Sequence, residues 1–135
     1  MFWPMFAMVV LTYAVLGINF AWRYKSVRSG QVRLGYYKVF EGDAPLHIIA
    51  GTRHYANLFE LPVLFYAACC TALAVNLQSP LMLFFAWAFV VARVVHSFIH
   101  MRGNKVLHRL VAFWCSVLAL FGVWLVLALR FLPVW

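Results

Sequence analysis

Charge is scarce in this chain. Only 10% of its 135 residues are charged, against 67% that are hydrophobic, and the mean hydropathy is +0.91. That excludes a soluble domain, whose surface at this length could not hide so much apolar side chain. Low-complexity tracts, long linkers and internal repeats are missing, so one domain over residues 1–135 is expected. Cysteine is limited to Cys69, Cys70 and Cys115, all in apolar stretches and without metal-ligand spacing. They read as small packing residues. The first 22 residues carry no charge and show no clean small-residue cleavage site. They are expected to be a retained helix and not a removed signal peptide.

What is present is long apolar runs. A membrane span needs roughly 20 mainly apolar residues. Residues 1–22 and 110–129 each supply an uncharged one, the latter stopped by Arg130 and Pro133. Two less clean runs, 46–75 and 81–101, lie between them and are joined at Asn76–Pro80. Ser79 suits a helix N-cap there and Pro80 the first helical position. The fold class expected is therefore an all-α integral membrane protein, a bundle of four helices over about 1–22, 46–75, 81–101 and 107–130.

The net charge of +8 does not point to nucleic acid. Arg23, Lys25, Arg28, Arg33 and Lys38 lie in the first loop, and Arg102 and Lys105 in the third, with Arg109 just beyond. Two basic loops on one side of a four-span bundle are topology signals and headgroup contacts. The positive-inside rule places both loops in the cytoplasm and both termini outside. The many aromatics, Trp3, Trp22, Trp114, Trp124 and Trp135 among them, suit the interfacial belt and lipid-facing packing.

Within the two middle spans sit two polar sets, Arg53, Asn57 and Glu60, and Arg93, His96 and His100. Spacings of three, four and seven put each set on one stripe of its helix. Ionisable groups cost about 2.5–3.5 kcal/mol each at a bilayer centre by insertion scales, so they face a partner or a wet pocket. Counting outward from the turn places Glu60 level with Arg93 to His96, Asn57 level with His96 to His100, and Arg53 level with residues 102–104. A Glu60–Arg93 ion pair is the simplest arrangement that makes both charges tolerable. Pro62 removes one backbone bond and crowds Leu58, so a kink beside the cluster is expected. His96 and His100, four apart, could bind metal or haem. No Cys, Asp or second His-x-x-x-His completes a set, and His47 and His54 are only loosely available. No metal is expected, and the pair reads as part of a polar pocket. The bland readings stand beside these: Glu60 and Arg93 as mutual counter-ions, Asn57 as polar glue between helices, Arg33 as a positive-inside loop charge and Arg109 as a cation marking the cytoplasmic end of its helix.

The run Arg53-His-Tyr-Ala-Asn57-Leu-Phe-Glu60-Leu-Pro62 resembles the second-helix signature of the MAPEG family, the membrane-associated proteins of eicosanoid and glutathione metabolism. Gly30-Gln-Val-Arg33-Leu34 and the following Asp43 resemble the cytosolic loop of its prostaglandin synthase branch, and Arg93-Val-Val-His96 its third-helix Arg-x-x-His. Arg109 falls where that branch has its catalytic arginine. Order and spacing agree over nearly the whole chain. The resemblance implies a homotrimer with a glutathione site between subunits, open to the cytosol. Arg53, Asn57, Glu60, Arg93, His96 and His100 would line or hold that site, and Arg33 would reach it from the adjacent subunit. Arg109 would stabilise the thiolate, for which there is a physical case: a cation near a helix N-terminus lowers a thiol pKa.

The chain departs from the family at three places. His100 stands where a tyrosine is frequent, Ala56 where some members have arginine, and Phe113 where the prostaglandin branch has tyrosine. It looks more like a bacterial member, in an inner membrane and not an endoplasmic reticulum, than a eukaryotic eicosanoid enzyme. The resemblance implies a glutathione-dependent transferase or peroxidase whose second substrate is apolar and dissolved in the lipid bilayer. Two rival readings remain: a fold that binds lipid or another ligand without turnover, and a small proton-coupled transporter with Glu60 as carrier. Against the transporter, similar-sized exporters carry their lone glutamate in a first helix, which here has no charge.

Overall fold

The computed structural model of the protein describes residues 1–77, 79–103 and 105–132. The expected helix stop at Pro133, the interfacial Trp135 and the place of Asn104 beside Arg53 lie outside the described residues. In chain order the elements are α1 (Phe2–Arg28), α2 (Tyr36–Val39), α3 (Leu46–Asn57), α4 (Leu61–Ala74), α5 (Pro80–Arg102) and α6 (Val106–Leu129). No strand occurs among the described residues. Four helical stretches, with α3 and α4 counted as one, are long and apolar enough to cross a membrane. The protein is an all-helical, multi-pass integral membrane protein.

Helix α1 runs past the expected end at residue 22 to Arg28. Its 27 residues span about 40 Å at 1.5 Å per residue, more than the roughly 30 Å of hydrocarbon. The extra turns carry Lys25 and Arg28, which suit the negative end of the helix. Arg23 is more than a loop charge. Its guanidinium donates to Thr52 Oγ1 at 3.0 Å and faces the rings of Tyr37 and Phe40 at 5.5 and 5.4 Å. It thereby holds the short α2 and the first loop against α1 and α3. Burial raises the Tyr37 phenol above its ordinary value, with Arg23 opposing.

The second span is not one helix. It breaks at Leu58–Glu60, where Glu60 takes φ −96, ψ −95, and restarts with Pro62 as the second residue of α4. The proline has no N–H to offer Leu58, and its ring crowds that carbonyl. The expected kink is thus a full interruption. Helix α5 starts as its sequence suggests: Ser79 Oγ accepts from the Met82 amide at 3.0 Å, with Pro80 leading the helix.

The core lies at the level of α4 and the first half of α5. Phe65 and Phe89 stack there at 4.4 Å between ring centroids, with Met8, Ala68, Ala72, Ala86 and Val123 buried around them. Helices α5 and α6 approach closely through Gly122, where a Cβ would come within 2.6 Å of the Phe85 ring. Large side chains such as Trp3, Phe20, Phe84 and Phe121 point outward, as lipid-facing residues should. Toward the loop-three end the interior becomes polar, with Arg93, His54, His96, Ser97 and His100 buried.

Candidate functional site

The break in the second span creates an acceptor. In an unbroken helix the Asn57 carbonyl would take the amide of Leu61. Here that carbonyl accepts from Arg93 Nη2 at 3.1 Å, and the same nitrogen donates to Asn57 Oδ1 at 2.7 Å. Asn57 Nδ2 in turn donates to Glu60 Oε2 at 2.9 Å. Arg93 is fully buried, whereas Glu60 is exposed at the break.

The expected Glu60–Arg93 ion pair is therefore not made among the described residues, because Asn57 stands between the two charges. A carboxamide can do this since it accepts at one end and donates at the other. Glu60 keeps its hydration, and the desolvation cost of a fully buried ion pair is avoided. Arg93 lies on the same helix as His96 and His100, and its long side chain can cover the roughly 5 Å rise of one helical turn to reach Asn57. Nε and Nη1 of Arg93 are buried without a partner.

Beside this relay lies a cavity of about 310 Å³, lined by Arg53, Asn57, Glu60, His96, His100, Val106, Arg109, Leu110 and Phe113. Its size is at the small end of the range for ligand sites. Six of the residues singled out in the sequence thus face one space. Arg93 supports its wall through Asn57. Arg33 is exposed in the first loop and is not among the lining residues. A second hollow of about 370 Å³ shares Arg53, His100 and Arg109 and adds His47 and Arg102, so the loop-three end of the site is strongly basic.

Arg109 sits in the first turn of α6, half-buried, with Nη1 3.2 Å from His100 Nε2. Arginine can only donate, so Nε2 accepts and the ring proton of His100 resides on Nδ1. A guanidinium beside the positive end of a helix concentrates positive potential at this wall of the cavity. That potential favours an anion or a thiolate entering the cavity.

One histidine that the sequence left only loosely available lies against the site. His54 is fully buried and packs against two histidines of α5, its ring stacked 5.7 Å from His96 and tilted 4.8 Å from His100. The signal was its register. His54 continues the buried stripe of Ile48 and Gly51, one position off the Arg53–Asn57 stripe, so it points into the bundle. His47, the other loosely available histidine, packs edge-on against Trp22 at 5.7 Å.

No curated protein and no solved structure matches the chain at a significant level. Among protein-family models, the MAPEG family matches residues 1–129. A match of that extent, on a bundle with four spans and a polar site between the middle two, means that this chain belongs to the MAPEG family, whose members are membrane proteins of glutathione-related transferase and peroxidase type.

Proposed function

We propose that the protein is a glutathione-dependent transferase or peroxidase for lipophilic electrophiles or hydroperoxides. The observation that carries this reading is the half-buried Arg109 at a cavity also lined by Arg53, Asn57, Glu60 and His100. Arg53 suits a carboxylate of the tripeptide, exposed Glu60 its amino group, and Asn57 its backbone. Arg109 suits the sulfur. As the thiol ionises, its proton leaves to solvent through the open side of the cavity. The thiolate then forms a C–S bond to an electrophilic carbon, and the leaving group departs with the electron pair. With a hydroperoxide, two glutathiones are oxidised to the disulfide while the O–O bond is reduced to alcohol and water.

In this reading the chain assembles as a homotrimer, and Arg33 of one subunit completes the cavity of the next. Loops one and three face the cytosol, the termini lie outside, and the membrane is a bacterial inner membrane. Arg93, His96 and His100 act as the supporting wall. The test is calorimetric binding of glutathione to the purified protein, followed by conjugation of a general electrophile. Arg109→Ala should abolish turnover while leaving the trimer intact. Wild-type protein that neither binds glutathione nor conjugates would end this reading. Phe113, which puts a ring without a hydroxyl into the cavity, favours one alternative, a binding protein without turnover. A lipid or other anion held at the same site, with no product formed, would establish it.

A further inference from the structure

Three histidines from two helices converge behind the cavity. His54 of α3 and His96 and His100 of α5 are all buried, and one ring nitrogen from each lies within 4.8 Å of the others. Of their six ring nitrogens, four are buried without a hydrogen-bond partner: both of His54 and the Nδ1 of His96 and of His100. A neutral imidazole always carries one N–H and one lone pair. Leaving such groups unpaired is unfavourable, and a cluster of them calls for an ion or a role. His54 is the sharpest case, with 0% exposure and neither nitrogen bonded.

We propose that His54, His96 and His100 form a binding site for a late first-row transition-metal ion, of which Zn²⁺ is the natural probe. Neutral imidazoles suit Zn²⁺ and its neighbours, and three of them leave a fourth position open. Zn–N bonds of about 2.0–2.1 Å in a tetrahedral site space the nitrogens by roughly 3.4 Å. The rings must turn from their present arrangement to close that gap. His96 and His100 also line the cavity, so the open position lies on the cavity side.

The surrounding charges set a condition. Arg93 and Arg109 oppose a divalent cation, and the Glu60 carboxylate accepts from Asn57. Arg109 also occupies the Nε2 lone pair of His100, so the ion and Arg109 compete for that ring. The site fills as Arg109 turns away, and an anionic fourth ligand strengthens it. This inference does not rest on the glutathione reading.

The experiment uses full-length protein in detergent, purified without a polyhistidine tag and stripped with chelator. Equilibrium dialysis against Zn²⁺ should give one ion per chain. Binding should weaken at least tenfold in His54→Phe, which keeps a ring in the same packing, and should be unchanged in His47→Ala and His108→Ala, which remove exposed histidines. Arg109→Met should tighten it at least tenfold. Co²⁺ in the wild-type protein should show the intense visible bands of a tetrahedral, nitrogen-ligated ion, a readout that survives even if a histidine variant does not fold. Zn²⁺ binding that is equal in wild type and His54→Phe, weaker in Arg109→Met, or accompanied by an octahedral Co²⁺ spectrum would overturn the proposal. Glutathione turnover can fail without touching any of these results.

Discussion

Arg93 and Asn57 are joined twice, through one guanidinium nitrogen that reaches both the side-chain oxygen and the main-chain oxygen of the asparagine. Among the described residues the largest fully buried side chain thus donates its direct hydrogen bonds to an amide and a carbonyl and not to a carboxylate. This predicts an ordering of mutants. Asn57→Leu leaves the guanidinium buried with its side-chain acceptor gone, and should destabilise by about 2–3 kcal/mol, the worth of hydrogen bonds to a charged group. Arg93→Met removes charge and demand together and should cost less. The midpoint of unfolding in an SDS titration measures both. If Arg93→Met proves the more damaging, the asparagine is not the partner that makes the charge tolerable.

Pro62 maintains that arrangement from a distance. With alanine there, the span could continue as one helix, and the Leu61 amide would compete with Arg93 for the Asn57 carbonyl. Pro62→Ala should leave the fold about as stable as the wild type, since a proline in the first turn of a helix carries little penalty to relieve. Ligand affinity at the cavity should nonetheless fall several-fold as Asn57 and Glu60 are drawn out of place. Affinity and stability moving together would show that the break has no bearing on the site.

The four spans and the polar stripes were legible in the sequence because both rest on periodicity and length, which one chain displays directly. What was not legible depended on partners. Sequence spacing placed Glu60 opposite Arg93, but could not show that Asn57 would intervene, since the offset is set by the break at Leu58–Glu60 and by the reach of an arginine. His54 was set aside as only loosely available for a related reason. It lies next to the charged Arg53 in sequence yet on a different face, and only the buried register of Ile48 and Gly51 separates the two. The short α2 depends on Arg23 meeting Tyr37 and Phe40, a contact between distant residues that no local pattern announces.

Gly51 is where α3 meets α1. A Cβ at this position would strike the side chain of Asn19 and sit 3.3 Å from the Trp22 ring. Asn19 is itself buried and tied to the Val15 carbonyl at 3.2 Å, so it has little room to yield. Gly51→Ala should therefore destabilise by about 1–3 kcal/mol, despite alanine being the better helix former. Thermal unfolding in detergent would show it. Gly17→Ala is the control, since nothing lies within 4 Å of a Cβ there, and it should be neutral or mildly stabilising.

The cavity contains a ring where a hydroxyl would serve the proposed chemistry better. Phe113 lines the same space as Arg109 and lies 6.1 Å from the His96 ring. Phe113→Tyr places an O–H donor on that wall without changing the ring beneath it. If the sulfur of glutathione sits against Arg109, this second donor should stabilise the thiolate and the charge that moves during attack. A single such donor is worth on the order of 10²-fold where it is fully preorganised. For a hydroxyl added to an unprepared wall, about tenfold in kcat is the reasonable expectation. The rate of conjugation and the ultraviolet absorbance of bound thiolate should rise together. A faster rate without more thiolate would place the new hydroxyl on the electrophile. If neither quantity changes, the sulfur is held away from residue 113, and the orientation of glutathione proposed for this cavity is wrong.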